Sequence, residues 1–255
     1  MALNPQLLKI IACPDHLNLD LLEDEERGLI CQVCGVVYPI IEQDGFLIPN
    51  MMKLSSEQQW VRGGRNVDSN VIEFLQGGNN KVPEKSPDTA CAEIVLDIGC
   101  GASPRGTYNV DCYIPTKINK PFILANVEYL PFKRKSVDVV LSYYNIEHLT
   151  NPSAFIVKAA DIASKRVKIV TDNSDWIGDI FFRIIGRGRI FHDEHYFKWS
   201  REYMQNLISR LGIRNATVVT SNLSTSLLVR SFSAFSILPR VGTVFNRDLI
   251  VEFES

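Results

Sequence analysis

No stretch of this sequence reaches the roughly 18 consecutive apolar residues that a membrane-spanning helix needs, so a spanning segment is not expected. Nor is there an excess of basic residues. Lys and Arg number 27 against 29 Asp and Glu, for a net charge of −2 and a pI near 6.1. That balance excludes nucleic-acid binding by bulk charge and leaves only a local basic patch for such a role. The first residues lack the basic start, apolar core and small-residue cleavage site of a secretory signal, and the expected address is cytoplasmic. What is present is ordinary: 45% hydrophobic and 22% charged residues over 255 positions. This suits one sizeable domain, or one medium domain with a small companion. In a reducing compartment the six cysteines are not expected to form disulfides, so their spacing is read for metal first.

Cys13 and His16 form a C-x-x-H pair in "ACPDHLNL", and Cys31 and Cys34 a C-x-x-C pair in "ICQVCGVVYPI". A two-residue gap lets a tight turn aim both side chains at one ion, and two such knuckles supply the four ligands of tetrahedral zinc. Gly35 allows the chain to leave the second knuckle in a left-handed turn. A module of about 50 residues has little core of its own, so a metal staple is physically sensible. Residues 51–90 are polar and rich in Gly, Pro, Ser and Asn. They are read as a linker with a short helix over 70–76.

From residue 91 onward the pattern changes. "EIVLDIGCG" runs as a buried strand into Asp97, Gly99 and Gly101, where glycines let the backbone approach a ligand closely. Further strands are expected at 122–126, at Val137–Ser142, in "RVKIVTDN", in "ATVVTSNL" and in "RDLIVEFE", the last two as an antiparallel ending. Helices are expected in "NPSAFIVKAADIASK" and in "SREYMQNLISRLG", the latter capped by Ser200 and closed by Gly212. Strands alternating with helices predict a doubly wound α/β sheet with ligands at the carboxyl ends of its strands. A nicotinamide-binding site would want G-x-G-x-x-G, but Pro104 stands at the third glycine position. Only nine residues separate Gly101 from Asp111, and a parallel crossover normally takes a dozen or more. The first helix is therefore expected to be cut to about one turn.

Two resemblances cover most of the chain. Residues 1–50, with "LLKIIACPDHLNL", "LICQVCGVVYPI" and "DGFLIPNM", resemble the Trm112-like zinc-ribbon family, with His16 where cysteine is more frequent. Residues 91–255 resemble a Rossmann-like class I S-adenosylmethionine-dependent methyltransferase of the methyltransferase 11 type. That resemblance rests on "VLDIGCG", "NVEYLPF" and "SVDVVLSYYNIEHL" in order. The ribbon family implies a module that partners and activates methyltransferases, here fused in cis and packing on the catalytic domain.

The same resemblance implies the cofactor contacts. Asp97, Gly99 and Gly101 go to the methionine end of S-adenosylmethionine. Asp111, the only acid between Gly101 and Glu128, goes to the ribose. Asn126 and Val127 go to the adenine, with Asn126 in place of the usual aspartate. Ser142 and Tyr143 go to the sulfonium. For the acceptor side, "FHDEHYF" offers His192 and His195 as candidate bases, and "IEHL" offers His148. Trp176, Ile177, Ile180, Phe181, Ile184 and Ile185 recur at helical spacing beside Arg183, Arg187 and Arg189. That segment, 176–189, reads as a lid helix, with a peripheral membrane contact or an anionic-substrate contact as sharper readings. The (Asn/Asp)-Pro-Pro-Tyr box of many amino-group methyltransferases is absent, "SYYN" standing there. The expected methyl acceptor is thus an oxygen or carbon on a small molecule, glycan or lipid, with RNA or protein left open. The rival expectation is a non-catalytic cofactor-binding adaptor whose ribbon recruits another enzyme.

Overall fold

Asn4 and Pro5 start the first helix of the chain, α1 (Pro5–Ile10). The Asn4 side chain accepts the Gln6 amide at 2.8 Å, and Pro5 takes the position where a missing N–H costs nothing. Leu7 and Ile10 are buried. A three-stranded antiparallel sheet follows, β1 (Leu21–Asp24), β2 (Gly28–Cys31) and β3 (Val37–Tyr38). A hairpin of β4 (Ile40–Gln43) and β5 (Phe46–Pro49) turns at Asp44 and Gly45, both with positive φ, the combination that matches strand twist in a two-residue loop.

The computed structural model describes residues 3–24, 26–53, 93–184, 195–223 and 242–255. The helix expected at 70–76 and nearly all of the 51–90 linker lie outside them. Contacts divide the chain into two units. One contains the N-terminal module with Glu93–Leu141 and Lys158–Lys165; the other contains Ser142–Val157 and Arg166–Ser255.

In the first unit, β6 (Val95–Ile98) lies between β7 (Tyr108–Asp111) and β9 (Val137–Tyr143), with β8 (Phe122–Leu124) beyond β7, all parallel. Leu96, Ile98, Val110 and Ile123 have no exposed surface, as expected of parallel strands covered on both faces. The shortening expected after Gly101 goes further than a single remaining turn. Residues 99–107 form only turns and bends, and the next connection, 112–121, is equally without helix. Two things compensate. Asn109, fully buried on β7, accepts the Gly106 amide at 2.9 Å and donates to the Gly106 and Pro121 carbonyls. Gly106 itself passes so close to β6 that a Cβ there would meet the Val95 carbonyl oxygen and the Asp97 nitrogen at 2.8 Å.

The ribbon supplies the other compensation. Ile48 is buried with Cys100, Ile118 and Phe122, and Ile41, Phe46, Ile114 and Leu124 pack around them. The ribbon thus fills apolar space beside β7 and β8 that crossover helices would otherwise cover. Each fully buried side chain of this kind is worth roughly 1.5–3 kcal/mol. Polar contacts fix the register. Asp44 accepts the Ile118 amide at 2.8 Å, Gln43 donates to the Pro115 carbonyl at 3.0 Å, and the Met51 amide donates to the Leu124 carbonyl at 2.7 Å. The Ala12 amide donates to Pro131 and the Lys133 amide to Ile10, both at 2.9 Å. The ribbon packs in cis.

In the second unit, β12 (Asp248–Glu254) runs antiparallel to both β10 (Ala163–Asp172) and β11 (Thr217–Ser221). The helices are α2 (Pro152–Ile162), α3 (Ile177–Ile184) and α4 (Arg201–Arg210). The cap on α4 is the expected one, Ser200 Oγ accepting the Tyr203 amide at 3.2 Å, and Gly212 follows with φ of 73°. Hydrogen bonding orders the seven strands β11-β12-β10-β9-β6-β7-β8. This is a mixed α/β sheet in which β12, near one edge, runs antiparallel to both its neighbours, as the sequence predicts for the ending of the chain. Among the described residues no helix is long and apolar enough to cross a membrane.

Candidate functional site

Four side chains converge in the N-terminal module. The ligand atoms of Cys13, His16, Cys31 and Cys34 all lie within 4.8 Å of one another. Cys13 Sγ stands 3.5 Å from His16 Nδ1 and 3.8 Å from Cys34 Sγ, and Cys31 Sγ stands 3.5 Å from His16 Nδ1. Ordinary zinc–sulfur and zinc–nitrogen bond lengths at tetrahedral angles give S···S edges of about 3.8 Å and S···N edges of about 3.6 Å. The three edges given match those of a zinc tetrahedron, so the four residues could hold one such ion. Gly35 leaves the second knuckle with φ of 70°, its amide bonded to the Cys31 carbonyl at 2.9 Å. Tyr38 donates its hydroxyl to Cys13 Sγ at 3.1 Å, an outer contact that orients a ligand. Burial opposes ionisation of the Cys31 thiol, but the amides of Cys34 and Val33 and the neighbouring thiols outweigh it and bring the group down to about 6. Burial, reinforced by Cys13, pushes the Tyr38 hydroxyl up.

A second convergence lies at the carboxyl ends of β6 and β7. Asp97 is fully buried. Its Oδ2 accepts the Arg105 amide at 2.8 Å, with the Arg105 guanidinium at 4.0 Å, while Oδ1 has no hydrogen-bond partner among the described residues. Burial raises this carboxyl to about 6 against the opposing pull of Arg105. Gly99 and Gly101 both have positive φ, and a Cβ on Gly101 would meet nothing within 4 Å. The backbone at Gly101 is bare towards open space. Asp111, at the end of β7, accepts the Gly101 amide at 2.8 Å and the Tyr113 amide at 3.2 Å. Burial raises its carboxyl, and those two amides work against the shift.

Asn126 has a role that its place in the motif did not suggest. Its Oδ1 accepts the Glu128 amide at 3.1 Å and caps the 3-10 turn Val127–Tyr129, while its Nδ2 donates to the Lys53 carbonyl at 3.1 Å. The Lys53 ammonium contacts Asp15 and lies 5.3 Å from the Tyr129 ring centroid. Asn126 is thus tied to the end of the ribbon.

In the second unit the structure brings together two of the three candidate histidines. His148 and His195 meet edge to face, ring centroids 4.6 Å apart and planes at 88°. Beside them is Glu147, 2% exposed; its Oε2 accepts the Thr171 hydroxyl at 2.9 Å and its Oε1 has no hydrogen-bond partner among the described residues. Burial raises the Glu147 carboxyl to about 8. Glu147 carries the meeting through its backbone as well, accepting the Tyr196 amide at 2.8 Å. Glu147 and Thr171 are not among the residues expected from the sequence, although Glu147 directly precedes His148 in "IEHL". His192 lies outside the described residues, as do Ile185, Arg187 and Arg189. Ser142, at the end of β9, is fully buried and accepts from Asn145 Nδ2 at 3.2 Å; Tyr143 is half-buried. On α3, Ile180, Phe181 and Ile184 are exposed, whereas Trp176 just before the helix is buried.

Comparisons with known proteins found matches to parts of the chain. A family model described as Trm112p-like protein matches residues 4–42, and one described as methyltransferase domain matches residues 108–171. An uncharacterized protein of Methanocaldococcus jannaschii is 36% identical over 63 residues, 20% of this chain and 25% of that protein, so the chain spans a quarter of that relative's length. Among solved structures, one is similar from the complex of the Haloferax volcanii Trm112 methyltransferase activator with a protein described as a methyltransferase. It has 13% identity and a TM-score of 0.45, covering 72% of this chain and 87% of that one. Another is a SAM-dependent methyltransferase from Archaeoglobus fulgidus, with 15% identity and a TM-score of 0.46, covering 79% of this chain and all of that one (100%). The chain joins a Trm112p-like region at residues 4–42 to a methyltransferase domain matched at residues 108–171.

Proposed function

We propose that this protein transfers a methyl group from S-adenosylmethionine to an oxygen nucleophile, with its zinc-holding ribbon serving as a built-in activator. The observation that carries the reading is the buried Oδ1 of Asp97, without a partner among the described residues, in the turn where Gly99 and Gly101 have positive φ and Gly101 faces open space. An orphaned carboxylate oxygen is costly unless a ligand satisfies it, and the ammonium of the cofactor has the complementary charge. Asp111 would hold the ribose hydroxyls through the acceptor capacity its two amide contacts leave over. Asn126 would present the edge of the 3-10 turn, with Val127, to the adenine. Ser142 and Tyr143 are assigned to the sulfonium side from the sequence resemblance alone.

The bound cofactor supplies an electrophilic methyl group. The chain itself must orient the acceptor in line and, for a hydroxyl, take its proton. His148 and His195 are the groups proposed for that proton, and their meeting favours an oxygen acceptor over a carbon one. Zinc in the Cys13, His16, Cys31 and Cys34 set would fix the two knuckles and stabilise the fold of the ribbon. Through Lys53 and Asn126 that stability reaches the adenine side.

The test is to incubate the full chain with methyl-labelled S-adenosylmethionine and fractionated cell extract. Label entering a hydroxyl-bearing small molecule, glycan or lipid supports the reading. Label confined to RNA or protein would redirect the acceptor class. No transfer to any fraction, with the cofactor bound, would favour the adaptor reading.

A further inference from the structure

We propose that Glu147, His148 and His195 form a second cation site, separate from the Cys3His set, for a divalent ion of borderline hardness such as Mn2+, Fe2+, Co2+ or Zn2+. The ligand atoms of the three residues lie within 4.8 Å of one another. Bond lengths of about 2.0–2.2 Å to a shared ion would need a contraction of about an ångström, the scale of a ring rotation. The carboxylate is prepared for this. The Thr171 hydroxyl holds Oε2 at 2.9 Å, while Oε1 is buried with no hydrogen-bond partner among the described residues. An outer donor fixing one oxygen and leaving the other for the ion is the usual support of a metal-bound carboxylate. A buried carboxylate oxygen left without a partner is otherwise expensive.

The backbone holds the third ligand in place. The amides of Tyr196 and Phe197 both donate to the Glu147 carbonyl, at 2.8 and 3.3 Å, so the chain after His195 is stitched to the residue it would share the ion with. The two rings meet edge to face at 4.6 Å. Two imidazoles disfavour Mg2+ and Ca2+, which want oxygen, and three protein ligands leave coordination positions open. An open position takes water or an acceptor oxygen, and because ligating imidazoles have no lone pair left for a proton, the bound ion would lower the acceptor's pKa in place of His148 and His195 acting as bases; the site deepens the methyl-transfer reading and rests on it for its use. Cation binding itself is independent of that reading.

The experiment titrates Mn2+ into the full chain with its ribbon zinc retained, following free Mn2+ by electron paramagnetic resonance. The proposal expects about one equivalent bound, weakened about tenfold or more in both Glu147→Gln and His195→Ala, with zinc content unchanged. Glu147→Gln keeps an acceptor for Thr171 and so keeps the fold testable if His195→Ala melts early. Saturable binding equally strong in both variants, or no saturable binding of Mn2+ or Co2+ at all, overturns it. Mn2+ binding by protein that fails to bind S-adenosylmethionine supports the cation site and overturns only the methyl-transfer reading.

Discussion

The Met51 amide donates to the Leu124 carbonyl at 2.7 Å, which lays the end of the ribbon along β8. Together with the Ile48 cluster, this makes the ribbon part of the core over strands that have no crossover helices of their own. Ile48 has no exposed surface. Ile48→Ala should therefore destabilise the protein by about 2–4 kcal/mol through lost burial and a residual cavity, and chemical denaturation reads it directly. A change under about 0.5 kcal/mol would mean that the ribbon is a passenger.

Zinc removal should be felt beyond the ribbon. Elemental analysis is expected to find about one equivalent held by Cys13, His16, Cys31 and Cys34, and Cys31→Ser should lower it. Because Asn126 Nδ2 is bonded to the Lys53 carbonyl, the same variant should also weaken S-adenosylmethionine binding. Full zinc retention after replacement of both Cys31 and Cys34 would refute the ligand set.

Asp97 links stability to pH with a definite sign. Its carboxyl is raised in the folded protein to about 6 from the ordinary 3.8. The folded state therefore binds the proton more tightly, and the stabilisation this brings is complete below pH 4 and lost as pH rises through 6. Asp97→Asn keeps an acceptor for the Arg105 amide and removes the charge. At pH 7.5 it should be more stable than the parent by about 1–3 kcal/mol, an advantage that shrinks towards pH 4. The variant should nonetheless bind the cofactor more weakly. Thermal melts of both proteins from pH 4 to 8 check the first part, and a parent that stays the more stable at pH 7.5 contradicts it.

The meeting of His148 and His195 predicts that the two behave alike. If either takes the proton of a hydroxyl acceptor, replacement by Asn should lower turnover by about 10²–10⁴ with cofactor affinity nearly unchanged. The loss should be partly recovered at high pH, where the acceptor ionises without help. Near-normal turnover in both variants at neutral pH would remove them from the reaction.

What was legible in the sequence was local. The two cysteine-bearing pairs, the strand into Asp97, the Ser200 cap and the antiparallel ending each announce themselves within a few residues, through spacing, capping or alternation. What was hidden depends on long-range approach. Thr171 and Glu147 meet only because Thr171 lies on β10 while Glu147 follows β9. The need for glycine at 106 comes from how closely the turn passes β6, which spacing alone does not reveal. Asn126 reads in sequence as a substituted adenine contact; the bond of its side-chain amide to Lys53, just past the ribbon, is another long-range approach that the motif does not reveal. The short link between β6 and β7 was visible; that the ribbon would fill the space beside it follows from the packing of Ile48 and Phe46.

The most direct test of the account is calorimetric titration of S-adenosylmethionine into the full chain and into Asp111→Ala. Asp111 touches both the loop amide of Gly101 and the proposed ribose position, so its removal should weaken binding by about 1.5–3 kcal/mol, roughly 10- to 150-fold. The account predicts one saturable site in the parent and that loss in the variant. An absence of saturable binding in the parent, or unchanged affinity in Asp111→Ala, would contradict it.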